Sequence, residues 1–95
     1  MATVIMQTWD GITPDQYDAL RQIVSWDRDV PAGMRFHVAS FGDGVLRMTD
    51  VWDSEELFGM FVQTRIKTGL RQLGIPGQPD VIIQAAHEVT AVDTA

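Results

Sequence analysis

The chain has 95 residues, 45% of them hydrophobic and 21% charged, with no cysteine and a formal net charge of −6. That length makes one domain over residues 1–95, whose core buries only about 60–65% of the unfolded surface. Thirteen acidic against seven basic residues argue against nucleic-acid binding, which needs clustered positive charge, and the lack of cysteine removes disulfides and thiol chemistry. No apolar run approaches the roughly 20 residues of a membrane span, and the N-terminal residues lack the basic start of a secretory signal. A cytoplasmic protein with no membrane association is expected.

The first predicted element is a strand, Thr3 to Trp9, with Ile5, Gln7 and Trp9 on one face and Val4, Met6 and Thr8 on the other. Asp10-Gly11 breaks it. Thr13-Pro14-Asp15-Gln16 then reads as a helix start: Thr13 caps, Pro14 takes the first helical position, and Gln16 closes a capping box. Ile12 and Tyr17 have the spacing of a hydrophobic staple, and Tyr17, Leu20, Ile23 and Val24 form an apolar stripe. The helix fades near Trp26-Asp27, and Asp29 to Gly33 is a loop.

Phe36 to Phe41 and Val45 to Trp52 are two further strands around Gly42-Asp43-Gly44. Asp-Gly between apolar-rich runs signals a two-residue type I′ hairpin, because both central residues need positive φ. With Asp43 and Gly44 as the loop, His37 falls opposite Asp50, Arg35 opposite Trp52, and Ala39 opposite Met48. One face of the hairpin then carries Arg35, His37, Ala39, Phe41, Leu46, Met48, Asp50 and Trp52. That mixture of aromatic, thioether and ionisable groups suits a ligand pocket.

A second helix starts at Asp53 or Ser54, with Glu55 and Glu56 favouring its N-terminal dipole. Leu57, Phe58, Phe61, Val62, Ile66, Leu70 and Leu73 keep helical spacing for about five turns, with Gly69 as a soft point and Gly74 as the C-terminal cap. Arg65, Lys67 and Arg71 lie late in this helix, where cations complement the macrodipole. A last strand is expected from Asp80 to about Val92, long enough to reach a partner chain.

The order β-α-β-β-α-β, with right-handed crossovers, implies an α+β, ferredoxin-like antiparallel sheet of strand order 4-1-3-2 with both helices on one face. Strands one and four are apolar on both faces. The uncovered face therefore requires a partner, most simply a second subunit.

The chain resembles the dimeric α/β-barrel superfamily in its antibiotic-biosynthesis-monooxygenase-like branch. The resemblance rests on Gly11-Ile12-Thr13-Pro14-Asp15-Gln16-Tyr17, on Phe36-His37-Val38-Ala39, and on Asp50-Val51-Trp52-Asp53-Ser54-Glu55-Glu56 leading to Phe58, Phe61 and Val62. Gly74-Ile75-Pro76 also fits. It implies a homodimer whose site lies between sheet and helices, acting on a small apolar or aromatic ligand without a cofactor or metal. Trp52 and His37 match positions of the family's oxygenases residue by residue, and the chain contains no asparagine to match theirs.

Read as chemistry, His37 and Asp50 are a candidate catalytic pair, the carboxylate fixing the tautomer of an imidazole that removes an acidic proton. The alternative is a cross-strand polar pair satisfying itself. Trp52 and Trp9 are candidates to stack on a planar substrate, Arg35 to hold a carboxylate or phenolate, Met48 to line the pocket, and Tyr17 to donate a hydrogen bond into it. The plainer readings are core or rim packing for the tryptophans, core packing for Tyr17, and for Arg35 a surface charge with its stem packed on a neighbour. His87 has a haem-ligand reading from the haem-degrading relatives, beside the plainer one of an interface residue. Three functions remain: a cofactor-independent enzyme that oxygenates, isomerises or cyclises a hydroxylated aromatic or polyketide-like molecule; a non-catalytic dimer that binds such a molecule; and a haem-binding protein.

Overall fold

A computed structural model describes residues 2–92. It contains β1 (Thr3–Asp10), α1 (Pro14–Val24), β2 (Met34–Gly42), β3 (Val45–Trp52), α2 (Glu55–Phe61), a π-helical segment (Val62–Ile66), α3 (Lys67–Leu73) and β4 (Asp80–Ala85). The sheet runs β2-β3-β1-β4 with every neighbouring pair antiparallel, which is the 4-1-3-2 order read from its other edge. No helix among the described residues is long and apolar enough to cross a membrane.

Local chemistry sets the element boundaries. Thr13 Oγ1 accepts from the Gln16 amide at 3.1 Å while Gln16 Oε1 accepts from the Thr13 amide at 2.9 Å, closing the capping box. The hairpin turns on Asp43 (φ 54°) and Gly44 (φ 76°), so His37 pairs with Asp50 and Ala39 with Met48. Ser54 caps α2 by accepting from the Leu57 amide. Gly74 ends α3 in the left-handed conformation.

Three features depart from the sequence reading. First, the register of β2 shifts between Met34 and Phe36: Met34 pairs with Trp52 and Phe36 with Val51, leaving Arg35 as the extra residue of a bulge rather than the partner of Trp52. Second, the long helix is not uniform, since its middle widens into a π-helical turn, and Gly69 is no soft point. A Cβ built there would sit 2.8 Å from Val24 and 3.0 Å from Leu20, so glycine is what lets α3 approach α1. Third, β4 stops at Ala85, well short of Val92. Among the described residues its only partner is β1, and the pairing ends with Thr3 opposite Ala85 and the Ala86 amide donating to the carbonyl of Ala2.

Arg65 is also placed by packing rather than by its own helix dipole. Its guanidinium donates to the carbonyls of Val24 and Asp29 at 2.7 and 2.8 Å and lies 5.3 Å from the Phe61 ring. It thus closes the C-terminal end of α1.

The core fills the space between the helices and one sheet face. Ile5, Leu20, Val24, Trp26, Trp52, Phe58 and Phe61 form one cluster, and Trp9, Ile12, Leu46 and Ile75 a second beside it. The opposite sheet face is open: Phe36 is 56% exposed, Val38 47% and Ile82 56%.

Candidate functional site

Between the two core clusters lies a cavity of about 50 Å³. Its walls are almost wholly apolar, supplied by Trp9, Ile12, Leu20, Trp26, Leu46, Met48, Phe58 and Phe61 among others. The polar groups that reach it are Gln7, Tyr17, His37 and Asp50.

These come from different elements for identifiable reasons. The type I′ turn sets the register that lays His37 beside Asp50, and strand alternation points both toward the helices. The capping box fixes where α1 begins, and therefore that Tyr17, four residues after the cap, faces the sheet. Ser25 ends α1 in a left-handed conformation, φ 61°, with its hydroxyl donating to the Gln22 carbonyl. That reversal folds Trp26 back over the site, where it is only 7% exposed.

The polar groups form one continuous hydrogen-bonded chain. Tyr17 Oη lies 2.8 Å from His37 Nε2, and His37 Nδ1 lies 2.6 Å from Asp50 Oδ1. Trp52 Nε1 donates to Asp50 Oδ2 at 3.1 Å. Asp50 is 3% exposed and Trp52 fully buried. A carboxylate so deeply placed is tolerable because both of its oxygens are hydrogen-bonded. Because a carboxylate only accepts, Nδ1 of His37 carries the proton, and in the neutral imidazole Nε2 then accepts from the Tyr17 hydroxyl. Burial, reinforced by the charges of Asp50, Asp18 and Asp27 against the opposing pull of Arg21, pushes the Tyr17 phenol up to about 12. Aromatic rings hold the assembly: Trp26 meets Tyr17 and His37 edge-on, each at 5.6 Å, and Phe41 meets Tyr17 at 6.1 Å.

Five of the seven residues singled out from the sequence therefore come together: His37, Asp50, Tyr17, Met48 and Trp9 line one cavity. The other two do not line it. Trp52 lies beneath the site, packed on Phe58 and Phe61 at 5.6 and 5.5 Å, and its contribution is the hydrogen bond to Asp50. Arg35 points to solvent, because the bulge removes it from the alternation of β2. Its guanidinium grips Asp53 at 2.7 and 3.1 Å, the hydrogen bond that holds the Asp53 carboxyl below its usual range. Met34, two-stranded partner of Trp52, lines the cavity instead. His87 is exposed and belongs to no strand.

Trp26 is among the wall residues that the sequence reading missed. Nine residues after Tyr17, it would lie on the opposite side of a helix that simply continued. A serine in the left-handed conformation carries no strong sequence signal, so nothing marked the reversal. No cluster of three or more His, Cys, Asp or Glu side chains among the described residues could hold a metal ion.

No protein-family model matches the chain, and no curated protein matches it. Solved structures do. A protein from Chloroflexus aurantiacus assigned to the antibiotic biosynthesis monooxygenases superposes with a TM-score of 0.68 at 15% identity, over 98% of this chain and 100% of that one. SnoaB, a cofactor-independent oxygenase from Streptomyces nogalater, superposes with a TM-score of 0.65 at 12% identity, over 93% and 94% of the two chains. Rv0793 from Mycobacterium tuberculosis gives 0.65 at 14% identity, over 96% and 100%. At these identities the likeness is one of fold, and it extends over nearly the whole chain: the α+β, ferredoxin-like architecture expected from the residues is the one these solved structures share.

Proposed function

We propose that this protein is a small cofactor-independent enzyme that removes a proton from a hydroxylated aromatic or polyketide-like molecule. His37 is the base and Asp50 its orienter. The resulting anion is then poised for oxygenation by dioxygen, isomerisation or cyclisation. The observation that carries the reading is the His37–Asp50 hydrogen bond of 2.6 Å at the wall of an apolar cavity. A carboxylate locks the imidazole tautomer, and an apolar surrounding strengthens electrostatic interactions with a developing charge. The fold it shares with SnoaB, itself a cofactor-independent oxygenase, supports the same class of chemistry.

The cavity also constrains how substrate enters. At about 50 Å³ it is a third of the roughly 150 Å³ cavity that accepts benzene in an engineered protein core. An aromatic substrate therefore has to widen it, and the rings of Trp26 and Tyr17, contributed by α1 and the loop after it, are the movable wall.

The test is dioxygen uptake with a panel of anthrones, quinols and polyhydroxylated aromatics and no added cofactor, with products followed by mass spectrometry. Turnover that falls by about 100-fold or more in His37→Ala, with affinity largely kept, is the expected result. Binding without turnover in the unmodified protein, with His37→Ala changing only affinity, would favour a non-catalytic small-molecule binder, for which the apolar lining is equally suitable.

We further propose that the open sheet face joins two copies in a homodimer. Phe36, Val38 and Ile82 are exposed on one continuous surface of the sheet, more apolar than a monomer ordinarily shows to water. Light scattering should give twice the chain mass, and Phe36→Glu should lower it. A monomer at micromolar concentration would overturn this.

A further inference from the structure

We propose that Tyr17 is the catalytic residue that meets the substrate, taking its proton on the phenolic oxygen and passing its own to His37. The proposal rests on the proton-abstraction reading above and changes which atom performs it. Both ring nitrogens of His37 are engaged, Nδ1 with Asp50 Oδ1 at 2.6 Å and Nε2 with the Tyr17 hydroxyl at 2.8 Å. An imidazole held this way has no lone pair left for a substrate. Asp50 accepts from His37 on one oxygen and from Trp52 on the other, and at 3% exposure it lies deeper than Tyr17. Tyr17 lies at the outer end of this hydrogen-bonded chain: with its own proton directed at Nε2, its oxygen keeps acceptor capacity that no described side chain takes up. Tyr17 lines that cavity, with Trp26 and Phe41 bracing its ring edge-on.

The transfer balances without a further reagent. The substrate O–H bond breaks as a new O–H bond forms on Tyr17, and the original Tyr17 O–H bond breaks as an N–H bond forms on Nε2. The products are a substrate anion, an unchanged neutral tyrosine and an imidazolium facing the Asp50 carboxylate. Running the sequence backwards returns a proton to the product. Burial, which pushes the phenol up to about 12, suits this role. A phenol that resists ionisation carries a proton through without storing charge, and the charge settles on the imidazolium beside Asp50.

A second consequence concerns specificity. The group that first touches the substrate is a hydroxyl that accepts, so the preferred substrate presents a donor O–H to it. A methyl ether at the same position has no proton to give and leaves the Tyr17 oxygen unmatched.

The experiment combines turnover with histidine nitrogen NMR in the full chain. Tyr17→Phe keeps the ring and removes the hydroxyl, and His37→Gln removes the base. With ¹⁵N-labelled protein, His37 should show a protonated Nδ1 and an unprotonated, hydrogen-bonded Nε2. His87→Gln assigns the signals, since the chain has two histidines. In Tyr17→Phe the Nε2 resonance should move while Nδ1 stays protonated, and kcat should drop by about 100-fold or more with KM little changed. Turnover that survives in Tyr17→Phe but not in His37→Gln would overturn the relay and leave the base assignment standing. A proton on Nε2 in the unmodified protein would overturn it whether or not a substrate is in hand. No turnover of any panel member, with the NMR pattern intact, would instead sink the proton-abstraction reading and the relay with it.

Discussion

The two ends of the Tyr17–His37–Asp50–Trp52 chain lie in opposite surroundings. At one end Asp50 and Trp52 are sealed between sheet and helix, 3% and 0% exposed, with their polar atoms matched to one another. At the other end Tyr17 is only partly buried, meets Trp26 and Phe41 edge-on, and borders a cavity. Fixed hydrogen bonds in a packed interior cannot reorganise cheaply, so the Asp50–Trp52 end is suited to holding geometry. The Tyr17 end, with space beside it, is suited to exchanging a proton and admitting a ligand. His37 joins the two, with one nitrogen committed to each.

That contrast is open to attack, most forcefully at its buried end. Asp50→Ala leaves the His37 Nδ1–H, on a part-buried ring, and the Trp52 Nε1–H, on a fully buried one, without acceptors. A loss of about 2–4 kcal/mol is expected, lowering the melting temperature by more than about 8 °C for a domain of this length. A variant that melts within a degree or two of the parent would mean that the buried end holds nothing in place.

A smaller effect should appear at the Tyr17 end as a pH dependence. The phenol is raised to about 12 in the folded chain from an ordinary value of 10.0. Between those values the unfolded chain releases a proton that the folded one keeps. The stability linked to this group is therefore complete below about pH 10 and is lost as pH rises toward 12. The chain has one tyrosine, so the near-ultraviolet absorbance of tyrosinate reports Tyr17 alone. A midpoint close to 10 would show that the ring opens to water and would blur the distinction between the ends.

The smallest effect is expected outside the chain altogether. Arg35→Ala should leave melting and turnover within error of the parent, because its partner Asp53 is exposed and solvent screens the pair. A marked loss of turnover would mean that Arg35 swings in to hold a substrate anion.

Much of this site was legible because it depends on short-range rules. Asp43-Gly44 accepts positive φ at both positions, a local property, and once that turn is set the pairing of His37 with Asp50 follows by counting. Thr13, Pro14 and Gln16 mark the start of α1 by equally local hydrogen bonds, which brings Tyr17 to face the sheet. Alternation along β3 put Asp50, Trp52 and Met48 on one face, but alternation gives a direction and not a depth. It could not distinguish Met48, which lines the cavity, from Trp52, which lies under it.

What the residues decided by themselves is the order of elements, the hairpin register and the pairing at the centre of the site. Each follows from backbone conformations and hydrogen bonds spanning a few residues. What only the tertiary structure decided is which side chains border the cavity and how the polar ones connect. The bulge that expels Arg35, the Ser25 reversal that returns Trp26, and the end of β4 at the last pairing residue of β1 all depend on packing between distant segments. So does the contact between Tyr17 and His37, twenty residues apart, which turns a cross-strand pair into a proton path.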